Sequence, residues 1–224
     1  MFKSLNFKVI LFGFIFTFFS SFGQSFFLGL FNSSIRDALS ITHGQFGSIY
    51  ASATLLSSFI LVWIGKKIDD FNILKFASYV IALLAISCFL FSKISSLVFL
   101  FLSIFLMRLS GQGLMSHTAT TTISRFFEKT RGRALSITWL GLSLAEFILP
   151  LLIIFLLTFI DWRNIWIVIS IFVIVVLPII TFSLVKNIKL DSRETVSLND
   201  VKTKEIKQWK RSEVLKDYRF YIIC

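Results

Sequence analysis

The chain has 224 residues, 56% of them hydrophobic and 28 of them phenylalanine, with a mean hydropathy of +0.83. A soluble domain of this length has nowhere to hide so much apolar surface, so the composition is that of an integral membrane protein. The net charge of +11 sits in short clusters between apolar runs and in one tail, which is the distribution of positive-inside loops and not of a nucleic-acid-binding face. Of the two cysteines, Cys88 lies in an apolar run and Cys224 ends the chain, so neither a disulfide framework nor a zinc site is expected.

Crossing ~30 Å of hydrocarbon takes ~20 mostly apolar residues in a helix. Six stretches qualify: Val9–Phe31, Gln45–Ile64, Ile73–Ser92, Ser95–Thr118, Ala134–Phe159 and Ile165–Val185. The first begins like a signal peptide, with a basic start, an apolar centre and small residues at Ser21 and Gly23, which would place a cleavage within residues 1–23. Its apolar character continues through "FFLGLF", so it reads as a span. Gln24 lies near its mid-depth. "THGQFGS" before the second stretch reads as a helix start, with His43 in the loop. In the fourth, Thr118–Thr122 reads as a polar exit from the membrane. Pro150 and Pro178 remove backbone donors and are expected to kink the fifth and sixth. Trp139, Trp162 and Trp166 are expected at interfaces, and the phenylalanines mostly against lipid. After Val185 a lysine-rich polar segment (186–217) precedes a short apolar remnant (218–224) that reads as the start of a truncated seventh helix.

Orientation follows from lysine and arginine. Lys3, Lys8, Lys66, Lys67, Lys75, Arg125, Lys129, Arg131, Arg133 and the tail share one side, against Arg36, Lys93 and Arg163 on the other. The richer side is expected to face the cytoplasm, with the N-terminus there.

Two deep charges stand out. At ~1.5 Å per residue, Arg108 lies about 20 Å in from the outer end of the fourth span and Glu146 about 18 Å from the inner end of the fifth. A charge at such depth costs ~2.5–3.5 kcal/mol on insertion scales and faces protein or water. The two are expected to interact or to share a cavity. Arginine's planar fork suits a carboxylate, and a desolvated Glu146 suits a proton carrier. The alternative is a structural pair bracing two helices. His117, nine residues beyond Arg108, is a candidate titrating group or an interfacial residue without a role. Gln24 is a candidate cargo contact or an interhelical hydrogen-bonding group.

Several motifs resemble the N-terminal six-helix half of the major facilitator superfamily and its central loop. "GKKIDDFNIL" retains Gly65 and Asp69 of the family's loop between helices two and three, with Asp70 and Asn72 as departures. "RLSGQG" resembles the arginine-and-glycine pattern of helix four through Arg108, Gly111 and Gly113. "GLSLAEFILP" resembles the gating motif of helix five through Gly141 and Pro150, with Glu146 as a departure. "RGRALSI", "DWRNIW" and "EVLKDYRFY" are similar to the four–five loop and to the starts of helices six and seven. The stretch from Phe22 to Leu55 is closest to the monocarboxylate-transporter-like branch.

The resemblance implies an all-α six-helix bundle of two inverted three-helix repeats, completed by a C-terminal half. It implies alternating access around a site lined by helices one and four, which adds to the reading of Gln24 as a cargo contact. With it, the residues read above from depth and chemistry, Arg108, Glu146 and His117, are the candidate substrate or coupling groups. Gly65, Asp69, Gly111, Gly113, Gly141 and Pro150 would serve gating. The expected cargo is a small organic anion such as a monocarboxylate, coupled to protons, in the inner (plasma) membrane of a bacterium. Export of amphipathic compounds is the second reading. Enzyme function is not expected, nor any cofactor or metal: there is no H-E-x-x-H and no cluster of metal ligands. "GLSLA" approaches a serine-protease turn, but neither His43 nor His117 lies on the sixth span. A channel would show charge rings or a filter-like loop, and neither is present.

Overall fold

The computed structural model describes residues 4–186. The expected central loop beyond Lys186 and the start of a seventh helix (218–224) lie outside the described residues. All regular structure among the described residues is helical, and six runs are long and apolar enough to cross a membrane: Phe7–Gly29, His43–Lys66, Ile73–Ser92, Leu97–Phe126, Arg131–Leu157 and Trp162–Val185. The first span joins α1 (Ser4–Ser20), a 3-10 turn (Ser21–Gly23) and α2 (Ser25–Gly29), and a short helix α3 (Asn32–Leu39) follows it. The second is α4 (His43–Lys66), closed by a 3-10 turn (Lys67–Asp69), and the third is α5 (Ile73–Ser92). The fourth joins α6 (Leu97–Met107), a π-helical stretch (Arg108–Met115) and α7 (Ser116–Phe126). The fifth and sixth are α8 (Arg131–Leu157) and α9 (Trp162–Val185).

Side-chain caps set several of the starts. Thr42 and Gln45 form a reciprocal capping box: the Thr42 hydroxyl accepts from the Gln45 N–H at 3.2 Å, and Gln45 Oε1 accepts from the Thr42 N–H at 2.9 Å. That box draws His43 into the first turn of α4, so it is not the loop residue its sequence context suggests. Asn72, Ser96 and Asp161 cap α5, α6 and α9 through the N–H groups of Leu74, Phe99 and Arg163. The helix ending the fourth span also runs past the expected polar exit. Thr118 and Thr122 donate to the carbonyls one turn behind, at 2.6 Å to Leu114 and 2.7 Å to Thr118, and both side chains are buried. A hydroxyl satisfied by its own helix does not have to leave the membrane.

The pairings of the spans carry an internal symmetry. The first packs on the fifth and the second on the fourth, while the third pairs with the sixth and the first crosses the fourth. Exchanging one with four, two with five and three with six maps this set onto itself, as two inverted three-helix repeats require. The contact between the third and sixth spans is regular and apolar: Val80, Ile81 and Leu84 of α5 and Ile169, Val173 and Leu177 of α9 are all buried. Its one cross-span hydrogen bond runs from the Ser170 hydroxyl to the Ala85 carbonyl at 2.8 Å.

The aromatic residues divide between core and surface. Trp166 is wholly buried, with the rings of Phe91, Phe31 and Phe27 at 4.5, 5.0 and 5.5 Å from its own. It is a core residue and not the interface marker its position near a span end suggests. Phe12, Phe16 and Phe22 are likewise buried; the flat, rigid rings of the first span fill space between helices that a lipid-facing reading leaves empty. Trp139 is exposed, and Trp162 lies under the Arg163 guanidinium at 4.2 Å. The second and fifth spans are the least covered, leaving apolar side chains such as Leu55, Phe59, Phe147 and Leu151 bare.

Candidate functional site

The first and fourth spans both lose regular α geometry where they cross. In the first span the 3-10 turn ends at Gly23 and Gln24 is extended (φ −80°, ψ 155°). In the fourth the irregularity is a π-helical stretch, a form that recurs at functional sites. Two glycines let the backbones meet. A Cβ on Gly23 would overlap the Gln112 nitrogen and the Met107 carbonyl, and one on Gly111 would sit 2.6 Å from the Gly23 nitrogen. Neither neighbour is a flexible side chain, so only glycine fits.

Arg108 opens the π-helical stretch and reaches back across this crossing. Its Nη1 donates to the Gly23 carbonyl at 3.0 Å and to the Ser25 hydroxyl at 3.3 Å. Tyr50 of the second span donates to the same Ser25 hydroxyl at 2.9 Å, and its ring lies 5.4 Å from the guanidinium carbon. The break in the first span is what frees the Gly23 carbonyl to accept, because the chain does not continue as a regular helix there. A cation over a ring face, desolvated by its neighbours, is stabilised by about 2 kcal/mol. The side chain is 7% exposed.

The guanidinium has donors to spare. Nε is buried with no partner, and Nη2 makes no hydrogen bond among the described residues yet is not sealed. One polar edge of a buried cation is thus left for something else. Ser25, exposed, accepts two hydrogen bonds and keeps its own proton to donate.

The structure does not join Arg108 to Glu146. Arg108 is turned to the first and second spans, while Glu146 is exposed on α8, and no ion pair links them. The covered stripe of α8 runs through Ala134, Thr138, Gly141, Ala145, Leu149 and Ile153, and Glu146 falls beside it. Pro150, four residues on, has no N–H for the Glu146 carbonyl. A carboxylate and a freed carbonyl therefore share one turn of a bare helix face.

His117 is a brace between spans. Its Nε2 lies 2.9 Å from the Gly65 carbonyl, and a Cβ on Gly65 would touch the imidazole at 3.3 Å. Two residues singled out separately, one for coupling and one for gating, are thus each other's contact. Asp69 closes the turn that follows. Gly141 sits where a Cβ would overlap the Phe14 carbonyl of α1, beside the 2.6 Å bond from the Thr17 hydroxyl to the Thr138 carbonyl. Gly113 meets the Leu61 side chain of the second span. Gln24 is half-buried at the break of the first span. Away from this site, a hollow of about 290 Å³ is lined by Thr120, Thr121, Ser124, Arg125 and Arg131.

Residue type alone does not mark Ser25, Tyr50, Gly23 or Gln112 as members of this site. The available signal was a repeat: "FGQS" at 22–25 in the first span and "SGQG" at 110–113 in the fourth carry the same Gly-Gln step. The steps meet at the crossing of the two repeats.

The family model described as Major Facilitator Superfamily matches residues 13–224. The chain belongs to this superfamily. It is a membrane transporter protein, multi-pass and all-helical, and its six spans have the arrangement of an N-terminal half of that fold. No curated protein and no solved structure matched it.

Proposed function

We propose that this superfamily member is a secondary active transporter that binds a small organic anion, such as a monocarboxylate, at Arg108 and works by alternating access. One observation carries the reading: a guanidinium anchored on one side by Gly23, Ser25 and Tyr50 keeps an unbonded Nη2 edge that is not sealed. A carboxylate bridging Nη2 and the Ser25 hydroxyl would receive a charge-assisted hydrogen bond and a neutral one. The anchoring side chains fix the fork before cargo arrives, which lowers the entropy cost of binding.

The bare faces of α4 and α8 support a further six-helix half closing over the site. Glu146 and its freed carbonyl cannot be left to lipid, where each unsatisfied polar group costs several kcal/mol, so they are assigned to the side facing that half or the cavity. In that setting Glu146 is the candidate proton carrier, and Gln24 a cargo contact. The close-packed glycines Gly65, Gly111, Gly113 and Gly141, with Asp69 and Pro150, are assigned to the rocking motion. His117, held on Gly65, is assigned to bracing at the basic end. The positive-inside bias puts that end, and the N-terminus, in the cytoplasm, in a plasma membrane of bacterial type.

Uptake by proteoliposomes of the whole protein tests the assignment. Substituting Arg108→Gln is expected to lower uptake of a carboxylate about tenfold to hundredfold, the loss of one charge-assisted bond, with membrane insertion unchanged. Wild-type uptake by Arg108→Gln would remove arginine from the mechanism.

A further inference from the structure

We infer that the hollow at the basic ends of the fourth and fifth spans is a binding site for an anionic phospholipid, whose headgroup phosphate is held by Arg131, Thr121 and Ser124. It is separate from Arg108 and from the crossing of the first and fourth spans.

The hollow, of about 290 Å³, is lined by Thr120, Thr121, Ser124, Arg125 and Arg131. All five side chains carry hydrogen-bond donors. The stretch from Arg125 to Arg133 adds Lys129 and Arg133, against Glu128 as the one acid within it. α8 starts at Arg131, and Thr130 at its N-cap contributes no side-chain hydrogen bond, so the positive end of a 27-residue helix adds to the field there.

Several of these donors are unspent. Thr118, Thr120 and Thr122 give their hydroxyl protons to carbonyls one turn behind, as hydroxyls within a helix commonly do. The Thr121 and Ser124 hydroxyls make no hydrogen bond among the described residues. Arg131 uses Nε alone, donating to the Ser124 carbonyl at 3.2 Å. That bond ties its guanidinium to the fourth span and leaves both terminal nitrogens unbonded among the described residues. A guanidinium fork with two hydroxyls, brought together from two helices, suits the oxygens of a phosphate.

Depth and the surface beneath select a lipid. The fourth span has 30 residues, ~45 Å at ~1.5 Å per residue, against ~30 Å of hydrocarbon. It is apolar from its first residue, Leu97, so the excess length falls at the other end and puts Thr121 and Ser124 at the level of the headgroups. Leu135 and Trp139 follow Arg131 at four-residue steps on one face of α8; Leu135 is half-buried and Trp139 is exposed. A phosphate site with an uncovered apolar strip beneath it matches a molecule with a charged head and a hydrocarbon tail. Basic pockets between spans hold such headgroups, whereas a free phosphate leaves the strip unused.

The test is lipid retention by the whole protein, purified from micelles holding equal phosphatidylglycerol and phosphatidylcholine and weighed by native mass spectrometry. The wild type is expected to prefer phosphatidylglycerol about tenfold, the worth of one charge-assisted bond. Arg131→Gln, and separately Thr121→Val combined with Ser124→Ala, should bring the two lipids close to equal. Arg133→Gln removes the same charge outside the hollow and should keep the preference. Phosphatidylglycerol should raise the melting temperature of the wild type and of Arg133→Gln but not of Arg131→Gln, which separates lost binding from lost folding. No preference in the wild type overturns the inference. So does an equal loss in Arg131→Gln and Arg133→Gln, which is diffuse attraction to a basic surface. Millimolar inorganic phosphate is the last arm: it should leave the bound lipid in place, and displacement as complete as that by added phosphatidylglycerol would make this a soluble-phosphate site and overturn the lipid assignment.

Discussion

Two contacts lie on the internal symmetry of the bundle, and they are built in opposite ways. The third and sixth spans meet through interdigitated aliphatic side chains on unbroken helices, with one hydrogen bond between them. The first and fourth spans meet backbone to backbone through Gly23 and Gly111, with a 3-10 turn on one side, a π-helical stretch on the other and a buried arginine across the joint. The first arrangement is how a membrane protein makes a fixed contact: tight van der Waals packing in regular helices. The second spends helical regularity and buries a cation, both unfavourable for stability alone. That asymmetry between two self-paired contacts is what supports the proposal that the working parts lie at the first.

Breaking each contact in turn should separate their roles. The largest effect is expected from Gly23→Ala. The added methyl meets backbone on two sides, and neither can yield, so the spans must part; we expect about 3 kcal/mol of destabilisation together with loss of transport. Unfolding in detergent and proteoliposome uptake measure the two. Val173→Ala, in the other contact, should cost about 2 kcal/mol through the methyl groups lost and the cavity left, with KM for cargo unchanged. A matching rise in KM would show that the contact between the third and sixth spans is not merely a base. Ser170→Ala is the mildest: it removes a single interhelical hydrogen bond, and the expected loss is about 0.6 kcal/mol, read as a small drop in melting temperature at wild-type uptake.

The regular contact was the more legible one in the sequence. The third span is bounded in the sequence and the structure alike at Ile73 and Ser92, because Asn72 caps its start and an uninterrupted apolar run fills it. The first span reads as one run because "TFFSSFGQSFF" stays apolar or small across the break; the break at Gln24 lies where Gly23 meets the backbone of the fourth span, a partner distant in the chain. Depth along the spans is all that suggests a tie between Arg108 and Glu146 in the sequence. Rise per residue fixes how far a side chain lies along a helix but not which way it points, and Arg108 points to a carbonyl and a hydroxyl of the first span. A backbone carbonyl carries no residue-type signature, so that partner was invisible in the sequence. The reading of Thr118–Thr122 as a polar exit turns on a related ambiguity, since hydroxyls that bond their own helix look the same in a sequence as hydroxyls that seek water.

The account depends on the edge of Arg108 beside Ser25 opening to water and cargo. The most direct measurement is labelling of Ser25→Cys by a membrane-impermeant maleimide, in the whole protein with Cys88 and Cys224 replaced by serine. The account predicts that this cysteine is modified in intact membranes and that a carboxylate cargo slows the reaction. A Ser25→Cys protein that transports normally yet resists the reagent from both sides of the membrane would contradict it.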